Sequence, residues 1–118
     1  MLFNIELFRH FAARAYAKAE GHPYTLEEVQ WVFEYYFWKY EQTFKKIHPN
    51  IRMEQIERII SAMPYLDSEV HGPLDIEAED YKLLIDKHFK TQYRNCNYNI
   101  NHFFSGDIRM LRFYEELY

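Results

Sequence analysis

The sequence predicts an all-α protein, a single bundle of five or six helices packed around a long, aromatic-rich second helix. Three observations lead there. Apolar residues recur every three or four positions along most of the chain. The breaks between these runs fall at Gly21-His22-Pro23, His48-Pro49-Asn50, Met63-Pro64, His71-Gly72-Pro73 and Ser105-Gly106-Asp107. Residues 26–47 carry apolar stripes on two opposite faces, so that helix needs neighbours on more than one side.

From about Asn4 to Glu20, Ile5, Phe8, Ala12, Ala15 and Ala19 share a face, while Glu6, Arg9, Arg14 and Lys18 point elsewhere. Small alanines on that stripe let another helix approach closely, and Gly21 suits a C-terminal cap. Thr25-Leu26-Glu27-Glu28 has the form of a capping box, in which the Thr hydroxyl and the Glu carboxylate satisfy free amides at a helix start. The helix it opens runs to about Ile47. Its first stripe, Leu26, Val29, Phe33, Tyr36 or Phe37, Tyr40, Phe44 and Ile47, is a core seam. The second, Trp31, Tyr35 and Trp38, lies about 140° to 200° away from Phe33 at 100° per residue.

A third helix, from about Arg52 to Met63, places Ile56, Ile59, Ile60 and Met63 together, and Pro64 stops it. Residues 65–74 read as a loop. Asp75 is placed to cap a fourth helix whose first turn holds Glu77, Glu79 and Asp80 where the macrodipole favours negative charge. Tyr81, Leu84, Ile85, His88 and Phe89 form its apolar face. A short helix around Tyr98 to Phe104 and a last one from Ile108 to about Leu117 follow. The alternation Asn97, Asn99, Asn101 would also suit a strand, but six residues without a partner strand argue against it.

The length, 118 residues, fits one domain over 1–118, since no repeat, low-complexity tract or Gly/Ser linker divides it. Its formal charge of −4 excludes a general attraction to phosphate backbones and leaves room for a local basic patch only. The lone cysteine, Cys96, cannot form an internal disulfide, which points to a reducing cytoplasm. The first residues lack the basic region and apolar stretch of a signal peptide. The densest apolar run, Trp31 to Tyr40, is broken by Glu34 and Lys39 and is too short to cross a bilayer, so no membrane partner is expected.

Three chemistries need weighing. His88, Cys96 and His102, with Asp86 and Asp107 nearby, are the closest approach to a metal-ligand set, but they lack the His-Glu-x-x-His or paired Cys-x-x-Cys spacing that zinc sites use. His88 falls on the apolar face of its helix, where a hydrogen-bonded core histidine is the simpler reading. Nucleophilic catalysis finds no Gly-x-Ser-x-Gly elbow, and Ser105-Gly106-Asp107 suits a helix stop followed by a new cap. No cofactor is implied, because the chain's 3 glycines form no phosphate-cradling loop. For nucleic acid, Arg109 and Arg112 stand one turn apart, Arg94 precedes them, and Asn99 and Asn101 could read bases. Glu115 and Glu116 on the same helix favour an ion-paired face instead.

The stretch Tyr98-Asn99-Ile100-Asn101-His102-Phe103-Phe104-Ser105-Gly106-Asp107-Ile108-Arg109, ending Arg112-Phe113-Tyr114-Glu115, resembles segments of small uncharacterised proteins encoded by phages and mobile elements of gut Firmicutes. The resemblance extends to Tyr24-Thr25-Leu26 and His48-Pro49-Asn50-Ile51. It implies a genomic setting, in which small chains act on host machinery by binding, and it gives no residue a role.

The expectation is therefore a non-enzymatic binding protein that docks on a host protein or nucleoprotein complex, or on itself. Aromatics are 19% of the chain, a surplus for so small a core, and Trp31, Tyr35 and Trp38 are the residue types most enriched at binding hot spots. A nucleic-acid module using Arg94, Asn99, Asn101, Arg109 and Arg112 is the alternative. A small metal-dependent enzyme built on His88, Cys96 and His102 ranks last.

Overall fold

The computed structural model of the chain describes residues 5–68, 72–91, 96–105 and 108–109. The periodic segments fold as helices: α1 (Ile5–Lys18), α2 (Leu26–Phe44), α3 (Met53–Ala62), α4 (Asp80–Lys90) and α5 (Ile100–Phe103). The protein is mostly helical, as the spacing predicts. Helix α1 packs chiefly on α3, and α2 chiefly on α4, with α1 also touching α2. The buried face of α1 is Phe8, Ala12 and Ala15, the expected stripe. Gly21 takes φ +72, and open space surrounds the position of a Cβ there, so the left-handed backbone rather than crowding is what calls for glycine.

The capping box at α2 forms. Glu28 N donates to Thr25 Oγ1 at 3.1 Å and Thr25 N donates to Glu28 Oε1 at 2.8 Å. Val29, Val32, Phe33, Tyr36, Phe37 and Tyr40 are its buried residues. The helix stops earlier than the expected Ile47, because Lys45 adopts the left-handed conformation (φ 58) and donates its N–H to Glu41 O at 2.8 Å. Ile47 consequently lies beyond the helix and is exposed, while Phe44, part exposed, still carries the seam onward to Tyr40 and Tyr98 at 4.9 and 5.3 Å.

Helix α3 buries Ile56, Ile59 and Ile60, followed by Met63. The stretch read as a loop after it contains a hairpin, β1 (Tyr65–Ser68) against β2 (Gly72–Asp75), antiparallel, with Leu66 opposite Leu74 and Ser68 opposite Gly72. Pro73 is tolerated because both strands of a two-stranded ribbon are edges. Leu66 and Ile76 are buried, and Ile76 N donates to Pro64 O at 2.9 Å, tying the hairpin base to the end of α3. Asp75 is therefore the end of a strand and not a helix cap. Asp80 opens α4, and its Oδ2 accepts from Glu77 N at 3.0 Å, which braces the turn before the helix; the N-cap residue, Glu79, makes no side-chain cap bond. Tyr81, Leu84, Ile85 and His88 are buried on α4 as expected. Of the last expected helix, only Ile108 and Arg109 lie among the described residues.

Most of the aromatic surplus goes into the core. Phe8 meets Phe33 and Phe37 edge-on at 5.0 and 5.2 Å, and Tyr36 meets Phe89 and Phe103 at 4.9 and 5.2 Å. Among the described residues the exposed aromatics are Tyr65 on the hairpin, Phe44 at the end of α2 and a row along the outer side of α2.

Candidate functional site

Trp31, Tyr35 and Trp38 form a ladder of rings along α2. Trp31 stacks on Tyr35 with centroids 5.3 Å apart and planes 26° from parallel, and Tyr35 meets Trp38 at 5.9 Å. The spacing i, i+4, i+7 brings them onto one face. Trp38 is 51% exposed and Trp31 39%, whereas the opposite stripe of the same helix is buried. The ladder lies beside α4. From there Asp86 accepts a hydrogen bond from the Tyr35 hydroxyl and ion pairs from Lys39 and Lys82, each at 3.2 Å. Lys39 also lies 5.7 Å from the Trp38 ring centre. Burial pushes the Tyr35 phenol up to about 12, helped by the bond to Asp86 and its charge, so Tyr35 remains a donor at neutral pH. Burial works against the Asp86 carboxylate, but bonds from Tyr35, Lys82 and Lys39 outweigh it and hold the carboxyl below its ordinary value.

An open groove of about 380 Å³ adjoins the Trp31 end, between the first turns of α2 and the approach to α4. Glu27, Glu28, Ala78, Glu79 and Lys82 line it with Trp31. A second groove of about 350 Å³ adjoins the Trp38 end and includes Ile5, Phe37 and Ile47 with Glu34 and Glu41.

Of the residues expected to contact nucleic acid, Asn99, Asn101 and Arg109 lie among the described residues, and each is bonded within the fold. Arg109 is 7% exposed. Its Nη1 donates to Ala62 O at 2.9 Å and to the Tyr81 hydroxyl at 2.8 Å, and its guanidinium lies 4.9 Å from the Phe104 ring centre. Ala62 carries one of the last carbonyls of α3, which helix geometry leaves free and where the macrodipole favours a cation. Arg109 is thus a buried cap of α3. Tyr81 passes the network on by donating to Met63 O at 2.6 Å, where the Tyr24 hydroxyl also donates at 3.2 Å. Asn99 Oδ1 accepts from Asn101 N at 2.9 Å and from Asn101 Nδ2 at 3.0 Å, capping α5, and Asn101 Oδ1 accepts from Arg58 at 3.4 Å. Both are engaged locally. Arg94 and Arg112 lie outside the described residues.

Of the histidine and cysteine set, His88 Nε2 comes within 3.8 Å of Cys96 Sγ. His88 is fully buried among Tyr98, Phe103 and Phe89. Among the described residues no three His, Cys, Asp or Glu side chains are grouped to hold a metal ion, so His102 does not complete a site with the other two. Ser105 Oγ donates to His102 O at 2.7 Å, which fits a helix stop.

The sequence did not single out two groups that the structure makes prominent. Asp86, which anchors the ladder, entered only as a neighbour of the His88, Cys96 and His102 set, although its place four residues after Lys82 on one helix face was a signal for the ion pair. His48, in the connection after α2, is 2% exposed and bonded through both ring nitrogens: Nδ1–H donates to Pro49 O at 2.7 Å, and Nε2 accepts from Ile100 N at 3.0 Å. Burial pushes its pKa down to about 4. Among the described residues no helix is long and apolar enough to cross a membrane. No protein-family model, curated protein or solved structure matches the chain.

Proposed function

We propose that the chain is a non-enzymatic docking module that engages a partner protein through the Trp31, Tyr35 and Trp38 ladder. The observation that carries this reading is a stacked aromatic row left half in water and held in place from a neighbouring helix. A side chain fixed before binding loses little freedom when it binds, so the Tyr35 to Asp86 bond favours affinity. The surface available is of the right order. A fully exposed aromatic side chain presents roughly 150–250 Å², so exposures of 39% and 51% leave about 130–220 Å² of indole to cover. At about 25 cal/mol per Å² this is about 3 to 6 kcal/mol before the costs of association, comparable to a pair of hot-spot residues. In the phage or mobile-element setting that the C-terminal resemblance suggests, the partner is a host protein or nucleoprotein complex.

The test uses Trp31→Ala and Trp38→Ala together. The double variant keeps the helical circular dichroism of the parent, since neither indole is core, and loses a partner that the parent retains from extracts of its own cells and that mass spectrometry identifies. A folded double variant that retains the same partner at the same level refutes the reading. Sedimentation of the parent at rising concentration separates a foreign partner from a second copy: the reading expects a monomer, and a dimer abolished by the double substitution makes the partner the chain itself.

A further inference from the structure

The groove at the Trp31 end has a chemistry of its own. One wall is the Trp31 indole, whose faces carry the negative end of the ring quadrupole and which stacks on Tyr35. The rim holds three glutamates and one lysine. Glu28 is spent on the Thr25 amide, and Lys82 is turned toward Asp86 at 3.2 Å. Glu27 and Glu79 are exposed and make no side-chain hydrogen bond or ion pair among the described residues. Both lie near helix starts, where the macrodipoles return about half a positive charge each. That offset leaves the groove negative, because the two free carboxylates and Glu28 outnumber it. The floor is Ala78, which adds no polar group.

We propose that this groove takes a basic side chain, an arginine or lysine of the docked partner, laid along the Trp31 ring with its charged head between Glu27 and Glu79. A long aliphatic stem with a cationic tip matches an apolar wall with an anionic rim. At about 380 Å³ the groove is at the lower end of the roughly 300–1,000 Å³ range of small-ligand pockets. It is open to solvent, so it suits a side chain presented from outside. A phosphate or an acidic segment would meet like charge. A second copy of this chain, with net charge −4, brings further acid to an acidic rim. The inference rests on the docking reading and specifies its partner.

The test titrates the 15N-labelled full chain with tetra-arginine, tetralysine and tetraglutamate peptides at matched ionic strength, following the indole N–H signals of Trp31 and Trp38. The two basic peptides shift the Trp31 signal saturably and tetraglutamate does not. Neutralising the rim with Glu27→Gln and Glu79→Gln weakens tetra-arginine binding about three- to tenfold, the scale of two partly exposed charge contacts. Trp31→Leu, which keeps an apolar wall without the ring face, weakens it as well, read on the backbone amide signals of Glu27 and Glu79. Glu20→Gln with Glu54→Gln makes the same charge change outside the groove and leaves binding within twofold. Equal weakening by the two charge-matched pairs means general attraction to an acidic chain and overturns the proposal, as does the absence of a saturable Trp31 shift. If tetra-arginine fails while Trp31→Ala with Trp38→Ala still abolishes partner retention, the basic anchor falls and the docking surface stands.

Discussion

Acid should loosen this protein through one imidazole. His48 is neutral in the fold: the Nδ1–H bond to Pro49 O and the acceptance from Ile100 N use both ring nitrogens, and a proton on Nε2 would turn the second contact into a clash of donors. Phe37 and Tyr40 pack against the ring at 4.9 and 4.7 Å, and burial brings its pKa to about 4. An unfolded histidine titrates near 6.5. Between pH 6.5 and 4 the unfolded chain therefore takes up a proton that the folded chain does not, so stability rises with pH across this window. The contribution is complete above about 6.5 and is lost as the pH falls to 4. A gap of about 2.5 pH units corresponds to about 3 kcal/mol. Urea unfolding of the parent and of His48→Gln, at pH 7.5, 5.5 and 4.5, isolates the effect, because every other ionisable group is common to both. The parent should lose about 2 to 3 kcal/mol more than the variant between the highest and lowest pH. Parallel losses in the two proteins would refute the reasoning.

Further outcomes follow from burial and bonding. Phe33→Ala, in the fully buried seam of α2, should cost about 3 to 5 kcal/mol, whereas Trp38→Ala, about 140° round the helix from Phe33 and half exposed, should cost under about 1 kcal/mol; equal costs in chemical denaturation would place the ladder in the core. Arg109→Ala strips the cap from Ala62 and the donor from Tyr81, and should lower stability by about 2 to 4 kcal/mol; a change under about 0.5 kcal/mol would show that its burial does nothing for the fold. Thr25→Ala removes the capping hydroxyl of α2 at a cost of about 1 kcal/mol, read as a lower melting temperature with unchanged helix content.

All five described helices were legible, the four longer ones because each buries one face, and a buried face leaves a periodic trace: Phe8, Ala12, Ala15 in α1 or Ile56, Ile59, Ile60 in α3. The hairpin left no such trace. Its strands are four residues each, too short for alternation to register, and Gly72 and Pro73 carry the composition of a turn while sitting in a strand. The end of α2 was misjudged because Lys45, a non-glycine, holds the left-handed conformation that usually marks a stop with glycine or asparagine. Arg109 could not be assigned from sequence at all. A charged residue is solvated unless a distant group claims it, and its partners are 47 and 28 positions away. The ladder was legible as a stripe, but its exposure depended on where α4 packs, which periodicity does not encode.

A docking module must touch its partner through the Trp31, Tyr35 and Trp38 face. A photo-reactive benzoylphenylalanine placed in turn at positions 31 and 38, and at the comparably exposed control positions 7 and 65, reads this directly in cells that carry the protein. The expected result is one cross-linked protein, common to positions 31 and 38 and absent from 7 and 65. Adducts of the same yield and identity at all four positions, or none at 31 and 38 in a chain that folds, would contradict it.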